Sequence, residues 1–264
     1  MPLLLLSLMA GLACAAPSVP AKPVNGITLT DAQAQEIGKK IFQNEAGGKI
    51  PFLTHWNDGE DFASLGIGHF IWYHEGAPGP FHESFPEMIK FLEAAGVAIP
   101  DWVKGPCPWK SKDEFFKEFH STNMDALRKI LEDTIPQQAR FAAKRLEDAL
   151  PKILEGLSPA EQNKIRERFY KVAADPNGVY ALVDYVNFKG EGISPTERYN
   201  DKGWGLLQAL SEMKDAPEGR PSVESFAAAA DFVLTRRVQN SPPERHEEKW
   251  LPGWRKRLKT YTPQ

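Results

Sequence analysis

Between Glu45 and Trp72 the chain gathers Glu45, Asp58, Glu60 and Ser64, followed at once by Gly66-Ile67-Gly68-His69. Two carboxyl groups held apart on rigid elements suit acid-catalysed cleavage of an acetal such as a glycosidic bond. One protonates the departing oxygen while the other faces the developing positive charge or activates a water. In that scheme Glu45 is the acid, Asp58 or Glu60 the second carboxylate, and the Ser64 hydroxyl orients the water. Asp58 and Glu60 stand two positions apart, so on an extended strand they would face the same side. A tight turn at Asn57-Asp58-Gly59 would break that parity and make Asp58 a turn cap. The sequence leaves this choice open.

The elements that must hold these groups are legible around them. Thr30 and Gln33 have the spacing of a capping box for a helix over 31–46, and Gly47-Gly48 ends it. Ile37, Ile41 and Glu45 recur at i, i+4 and i+8, so Glu45 extends an apolar stripe. Partial burial and the negative end of the helix both favour a carboxyl that keeps its proton, as a general acid must. Residues 50–56 read as a strand, 57–59 as a tight turn and 62–73 as the returning strand. Beyond a loop after Gly76 the pattern is helical, at 84–96, 111–120, 122–133, 136–154, 159–174, 178–188, 203–213 and 222–238. One small antiparallel hairpin among many helices makes an α+β chain, mainly α-helical.

Asp58, five intervening residues, Ser64, then Leu65-Gly66-Ile67-Gly68-His69 resembles the active-site hairpin of phage-type lysozymes, in the lysozyme-like superfamily of glycoside hydrolases. In that family a helix-borne Glu precedes an Asp, five residues, a Thr and an Ile-Gly-Ile-Gly-His run. The matching positions are Glu45, Asp58 and Ser64, with His69 as structural support. Asp184-Tyr185-Val186-Asn187-Phe188-Lys189-Gly190-Glu191-Gly192 is similar to the central-helix region beneath that cleft. Arg237 to Arg245 is similar to the C-terminal Asn-x-x-Pro-x-Arg turn into a basic helix. Residues 76–178 match nothing in the pattern, which implies a divergent member with a large helical insertion. Two departures stand out: twelve residues separate Glu45 from Asp58, more than the family has, and Ser64 replaces Thr, losing the β-branch that stiffens its rotamer. The resemblance implies a lysozyme-like fold, cleavage with inversion, and peptidoglycan or a related β-1,4-linked amino-sugar polymer as substrate. It needs no cofactor.

Substrate contacts are expected from aromatic and polar residues. Trp56, Trp72 and Trp204 could floor a sugar cleft, since apolar sugar faces stack on aromatic rings. His69, Asn187 and Glu191 join them as candidate binding residues, with Tyr199 and Gln208 behind. His55, His69, His74 and His82 cluster in sequence but match no zinc spacing, so no metal is expected. Cys107 sits in Gly-Pro-Cys-Pro-Trp with no evident base and is not expected to be a nucleophile.

The formal charge of −3 gives no support for nucleic acid as a partner. Residues 1–15 read as a secretory signal: the apolar run from Leu3 to Ala13 is far shorter than the roughly 20 residues of a membrane span, and Ala13-Cys14-Ala15 fits the small-x-small cleavage pattern. Gly11-Leu12-Ala13-Cys14 also resembles a lipoprotein box, which makes Cys14 a candidate lipid anchor on the outer membrane. Removal of the signal leaves Cys107 alone, so no disulfide can staple the fold. Residues 16–29 read as a flexible leader and 30–264 as one domain carrying the insertion at about 76–178. The expected location is the periplasm or the medium. Two other readings stay open: a chitosanase or chitinase-type hydrolase, and a catalytically silent glycan-binding envelope protein on the same scaffold.

Overall fold

The computed structural model describes residues 26–77 and 79–263; the expected signal peptide, Cys14 and nearly all of the leader lie outside them. The chain is α+β and mainly helical, 61% in helices, with a three-stranded and a two-stranded antiparallel sheet. No described helix is long and apolar enough to cross a membrane.

Helix α1, Asp31–Ala46, opens with the Thr30–Gln33 capping box and ends at Gly47, whose left-handed φ of 58° closes the last turn onto Phe42 and Gln43. Ile37 and Ile41 on its inner face are 2% and 0% exposed, so the stripe that includes Glu45 does face the core. Helix α5, Ile135–Ile153, lies along α1. At the centre stands α7, Pro176–Lys189, where every residue from Gly178 to Tyr185 is buried. It touches α1, α5, α6 (Pro159–Ala173), α8 (Leu206–Glu212) and α9 (Arg220–Asn240). A helix apolar on all sides is stable only with neighbours on all sides, and this one has them. Gly178 permits the approach of α6, since a Cβ there would meet the Val172 carbonyl oxygen at 1.8 Å. The C-terminal α10, Leu251–Leu258, packs on α9 beside α7. The helices of the insertion are α2 (Phe85–Ala94), α3 (Lys112–Lys117), α4 (Thr122–Asp133), α5 and α6.

The expected hairpin is a three-stranded meander instead. Residues 50–53 form a 3₁₀ turn because Pro51 supplies no N–H and a fixed φ. Strand β1 is only Thr54–His55, and the expected return strand is split into β2 (Ala63–Leu65) and β3 (Phe70–Trp72). The split falls at the Gly-Ile-Gly-His run. Gly66 has φ 70° and donates its N–H to the Leu53 carbonyl at 2.8 Å, and His69 has φ 47°. Gln138 of α5, fully buried, locks this turn: its Oε1 accepts from Ile67 N–H at 3.0 Å while its Nε2 donates to the Leu131 carbonyl and the Thr134 hydroxyl. A Cβ on Gly66 would stand 2.3 Å from that Oε1, so both the backbone angle and the space demand glycine. The second sheet, β4 (Arg198–Tyr199) and β5 (Lys202–Gly203), was not expected from the sequence. Its turn residues Asn200 and Asp201 both have positive φ, as a two-residue hairpin turn requires.

Candidate active site

Glu45 is the penultimate residue of α1, with its side chain 17% exposed. Its Oε1 meets the guanidinium of Arg257 from α10, and its Oε2 lies 3.8 Å from Nδ1 of His69 in the β2–β3 turn. The expectation that burial and the helix end alone would hold a proton on Glu45 omitted this cation. Arg257 is anchored elsewhere. Its Nε and Nη2 each donate at 2.8 Å to Asp184, a carboxylate buried to 0% exposure in α7. Asp184 also accepts from Asn44 Nδ2 at 2.9 Å and from the Tyr261 hydroxyl at 2.7 Å. Burial opposes the charge on Arg257, but Asp184 and then Glu45 outweigh it and hold the guanidinium above its ordinary pKa. The same Asp184 drives the Tyr261 phenol well above its ordinary value, after burial itself. Arg257 therefore meets Glu45 with a charge already largely matched by Asp184, through one nitrogen only.

Burial pushes His69 below its ordinary pKa against the pull of Glu45; the fields of His55, Glu60 and Arg257 act on it next. Among the described residues Glu45 is the one carboxylate within ion-pair range of this half-buried imidazole. The Glu60 carboxylate is oriented by Asn57, whose Nδ2 donates to Oε2 at 2.8 Å, and its backbone carbonyl accepts from Trp56 Nε1 at 2.6 Å. Ser64 sits in the middle strand beside His55 and Ile71, on the opposite face from Ala63 and Leu65, and is 3% exposed. That face carries the half-exposed His55 and Ile71, while the other is sealed by Thr54, Leu65 and Phe70.

Asp58 does not join this group. It occupies the exposed turn, with 98% of its side chain open to solvent, and its Oδ1 is 2.5 Å from Lys112 Nζ of α3. Lys112 holds the Asp58 carboxyl below the usual carboxylate range. The strand parity that would have put Asp58 and Glu60 on one side is broken by Gly59 at φ 79°.

The expected aromatic floor is also corrected. Trp56 and Trp72 are 1% and 0% exposed. Trp56 packs against Phe115, and Trp72 packs against Phe85, Trp102 and Trp109. A closed indole offers no face to a sugar. Trp204 is 7% exposed, covered by the Arg237 guanidinium at 4.0 Å and by Tyr199. Glu191 faces α5, 3.7 Å from Lys152, and Asn187 is exposed on α7. Tyr199 and Gln208 are used internally, by Glu247 and by Gly192 with Gly205. Cys107 is buried, which pushes its thiol up to about 12 and leaves it unreactive. Among the described residues no three His, Cys, Asp or Glu side chains converge as a metal site would require.

Sequence reasoning missed Arg257, Asn44, Asn57 and Gln138 as site-building residues. Asp184 carried a signal, being the one carboxylate in the apolar run Val179–Val186; such a residue must have a buried partner. Arg257 had none, standing third in Arg255-Lys256-Arg257. A cavity of about 490 Å³ lies elsewhere, between Tyr73–Ala77, Phe81, Glu83 and Lys104–Pro106. Comparisons with protein-family models, with curated proteins and with solved structures returned no match to this chain.

Proposed function

We propose that this chain is an exported glycoside hydrolase of lysozyme-like type that cleaves a β-1,4-linked amino-sugar polymer, peptidoglycan above all. The observation that carries the reading is Glu45 at the end of α1, held between His69 of the glycine turn and Arg257 of α10, with the charge of Glu60 acting on the same imidazole. Glu45 is the general acid. Arg257 fixes Oε1, which leaves Oε2 on the His69 side to deliver the proton to the leaving oxygen. Glu60, held by Asn57, is the second carboxylate and faces the positive charge that develops on the sugar. Ser64 shares a strand face with His55, but at 3% exposure its hydroxyl would reach a water only if the face opened on substrate entry.

Export is supported by the apolar residues 3–13 and the small residues after them. The reading of a silent glycan-binding protein has one observation in its favour. The Arg257 guanidinium already engages Oε1 of Glu45, so the proposed acid is tied into an internal ion pair. Incubation with purified peptidoglycan, chitin and chitosan, followed by reducing-end analysis, separates the readings. New ends on peptidoglycan support the muramidase, and ends only on chitin or chitosan transfer the function to those polymers. No ends on any polymer, with binding retained, leaves the silent protein.

A further inference from the structure

Lys189, the last residue of α7, holds its ammonium 3.6 Å from the centre of the Trp254 ring and 3.9 Å from that of Phe188. Among the described residues no carboxylate lies within ion-pairing distance of it and no acceptor receives its protons. Its neighbours are cations. The Arg237 guanidinium stands 5.2 Å from the same Trp254 ring, and that of Arg257 4.6 Å from the same Phe188 ring. Glu247, the carboxylate whose charge acts on Lys189, is already taken. Arg237 grips it with two hydrogen bonds of 2.7 and 2.9 Å, and Tyr199 and Arg245 add one each. Asp184 and Glu45 are likewise committed to Arg257.

Three cations therefore share two aromatic rings, and one of them lacks a counter-charge. Burial and then the Arg237 charge depress the Lys189 amine to about 7, so the folded chain bears an unfavourable charge here. The carbonyl end of α7 and the ring faces offset part of that cost. Neither supplies an anion. A carboxylate docked against Lys189 would, and it would lie beside Phe188, the ring that also carries the Arg257 of the Glu45 ion pair.

We propose that Lys189, with Trp254, Phe188 and Arg237, forms a carboxylate-recognition subsite beside the Glu45–Arg257 pair that selects acid-bearing glycan over neutral chitin and cationic chitosan. This rests on the glycan-cleaving reading above and names its substrate class. In a muramyl polymer the carboxylate comes either from the lactyl group or from the attached peptide. Both present the same planar anion to the ammonium and the guanidinium.

The test is equilibrium binding by calorimetry to the full-length mature protein, using three probes. They are a peptide-free muramyl tetrasaccharide with open lactyl carboxylates, the same glycan bearing its peptides, and neutral chitotetraose. The wild type is expected to bind at least one acid-bearing probe about tenfold more tightly than chitotetraose, the effect of one charge-assisted hydrogen bond. Lys189→Met should erase that preference with chitotetraose binding unchanged, and Lys189→Arg should restore it. The acid-bearing probe that responds identifies the source of the carboxylate. Equal binding of all three probes to the wild type overturns the subsite, as does a preference that survives in Lys189→Met. If acid-bearing probes bind in a Lys189-dependent way but nothing is cleaved, the hydrolase reading fails and the subsite stands. Cleavage without Lys189 dependence gives the reverse.

Discussion

Asp184 is the pivot that sets Arg257 against Glu45, and the Asp184→Asn substitution measures how much. Four donors converge on its two oxygens: Arg257 Nη2 and Asn44 Nδ2 on Oδ1, Arg257 Nε and the Tyr261 hydroxyl on Oδ2, all between 2.7 and 2.9 Å. An amide keeps one accepting oxygen and turns an NH₂ toward the other pair of donors. Two hydrogen bonds are lost, at least one of them charge-assisted, in a site with 0% exposure. At roughly 1.5–3 kcal/mol for each bond to a charged group, the loss is about 3–6 kcal/mol. Retention of the Glu45 contact by Arg257 places the expectation toward the lower end of that range. Guanidinium unfolding of wild type, Asp184→Asn, Arg257→Met and the double variant gives both the cost and the coupling. The expected coupling is at least about 1.5 kcal/mol, within the span for residues in one network. A loss below about 1 kcal/mol, or additive single variants, would refute the reasoning that Asp184 anchors the guanidinium.

Three further outcomes follow from the geometry. Glu60→Gln should lower peptidoglycan turnover by about 100-fold or more, the usual weight of a catalytic carboxyl, while Asp58→Asn stays within about twofold; the opposite ranking would return the role to Asp58. Gly66→Ala should destabilise by about 2–4 kcal/mol in a denaturant titration, from the left-handed backbone and the displaced Gln138 hydrogen bond. Wild-type stability there would remove Gln138 from the support of the turn. Lys189, with a folded pKa of about 7 against an ordinary 10.5, releases its proton in the native state before the unfolded one does. Between those values the unfolded state holds more protons, so stability rises with pH and the full cost is present below about 7. The contribution is at most about 1.4 kcal/mol per pH unit, less what solvent screens. Lys189→Met should flatten that slope and gain stability at pH 6; an unchanged slope would mean that the ammonium is not strained.

Local signals carried much of the architecture. The Thr30–Gln33 box, the Ile37–Ile41–Glu45 phase and the glycine stop depend on near neighbours, and α1 follows them at both ends. The helix expected over 178–188 is matched by α7 for the same reason, but its burial on all sides was not read from the sequence. The meander was harder, because Gly66-Ile67-Gly68-His69 reads as strand until Gln138, distant in sequence, supplies the partner that holds it as a turn. At the site, Glu45 and His69 were named by pattern. The different surroundings of Asp58 and Glu60 were not, since they depend on Lys112 pairing with Asp58 at the exposed turn and on Asn57 holding the Glu60 carboxylate. The tryptophans misled because an indole that closes a core and one that floors a cleft have the same sequence. Only the packing of Trp72 against Phe85 and Trp109 separates them.

The reading of this chain as a hydrolase turns on whether Glu45 gives a proton to a glycosidic oxygen. Wild type and Glu45→Gln should be incubated side by side with purified peptidoglycan, with reducing ends and product anomer followed by mass spectrometry and NMR. The expected result is cleavage with inversion by the wild type and loss of at least about 1,000-fold in the variant, with unfolding still cooperative. Turnover by Glu45→Gln within about tenfold of wild type, in a folded protein, would contradict the assignment of Glu45 as the acid.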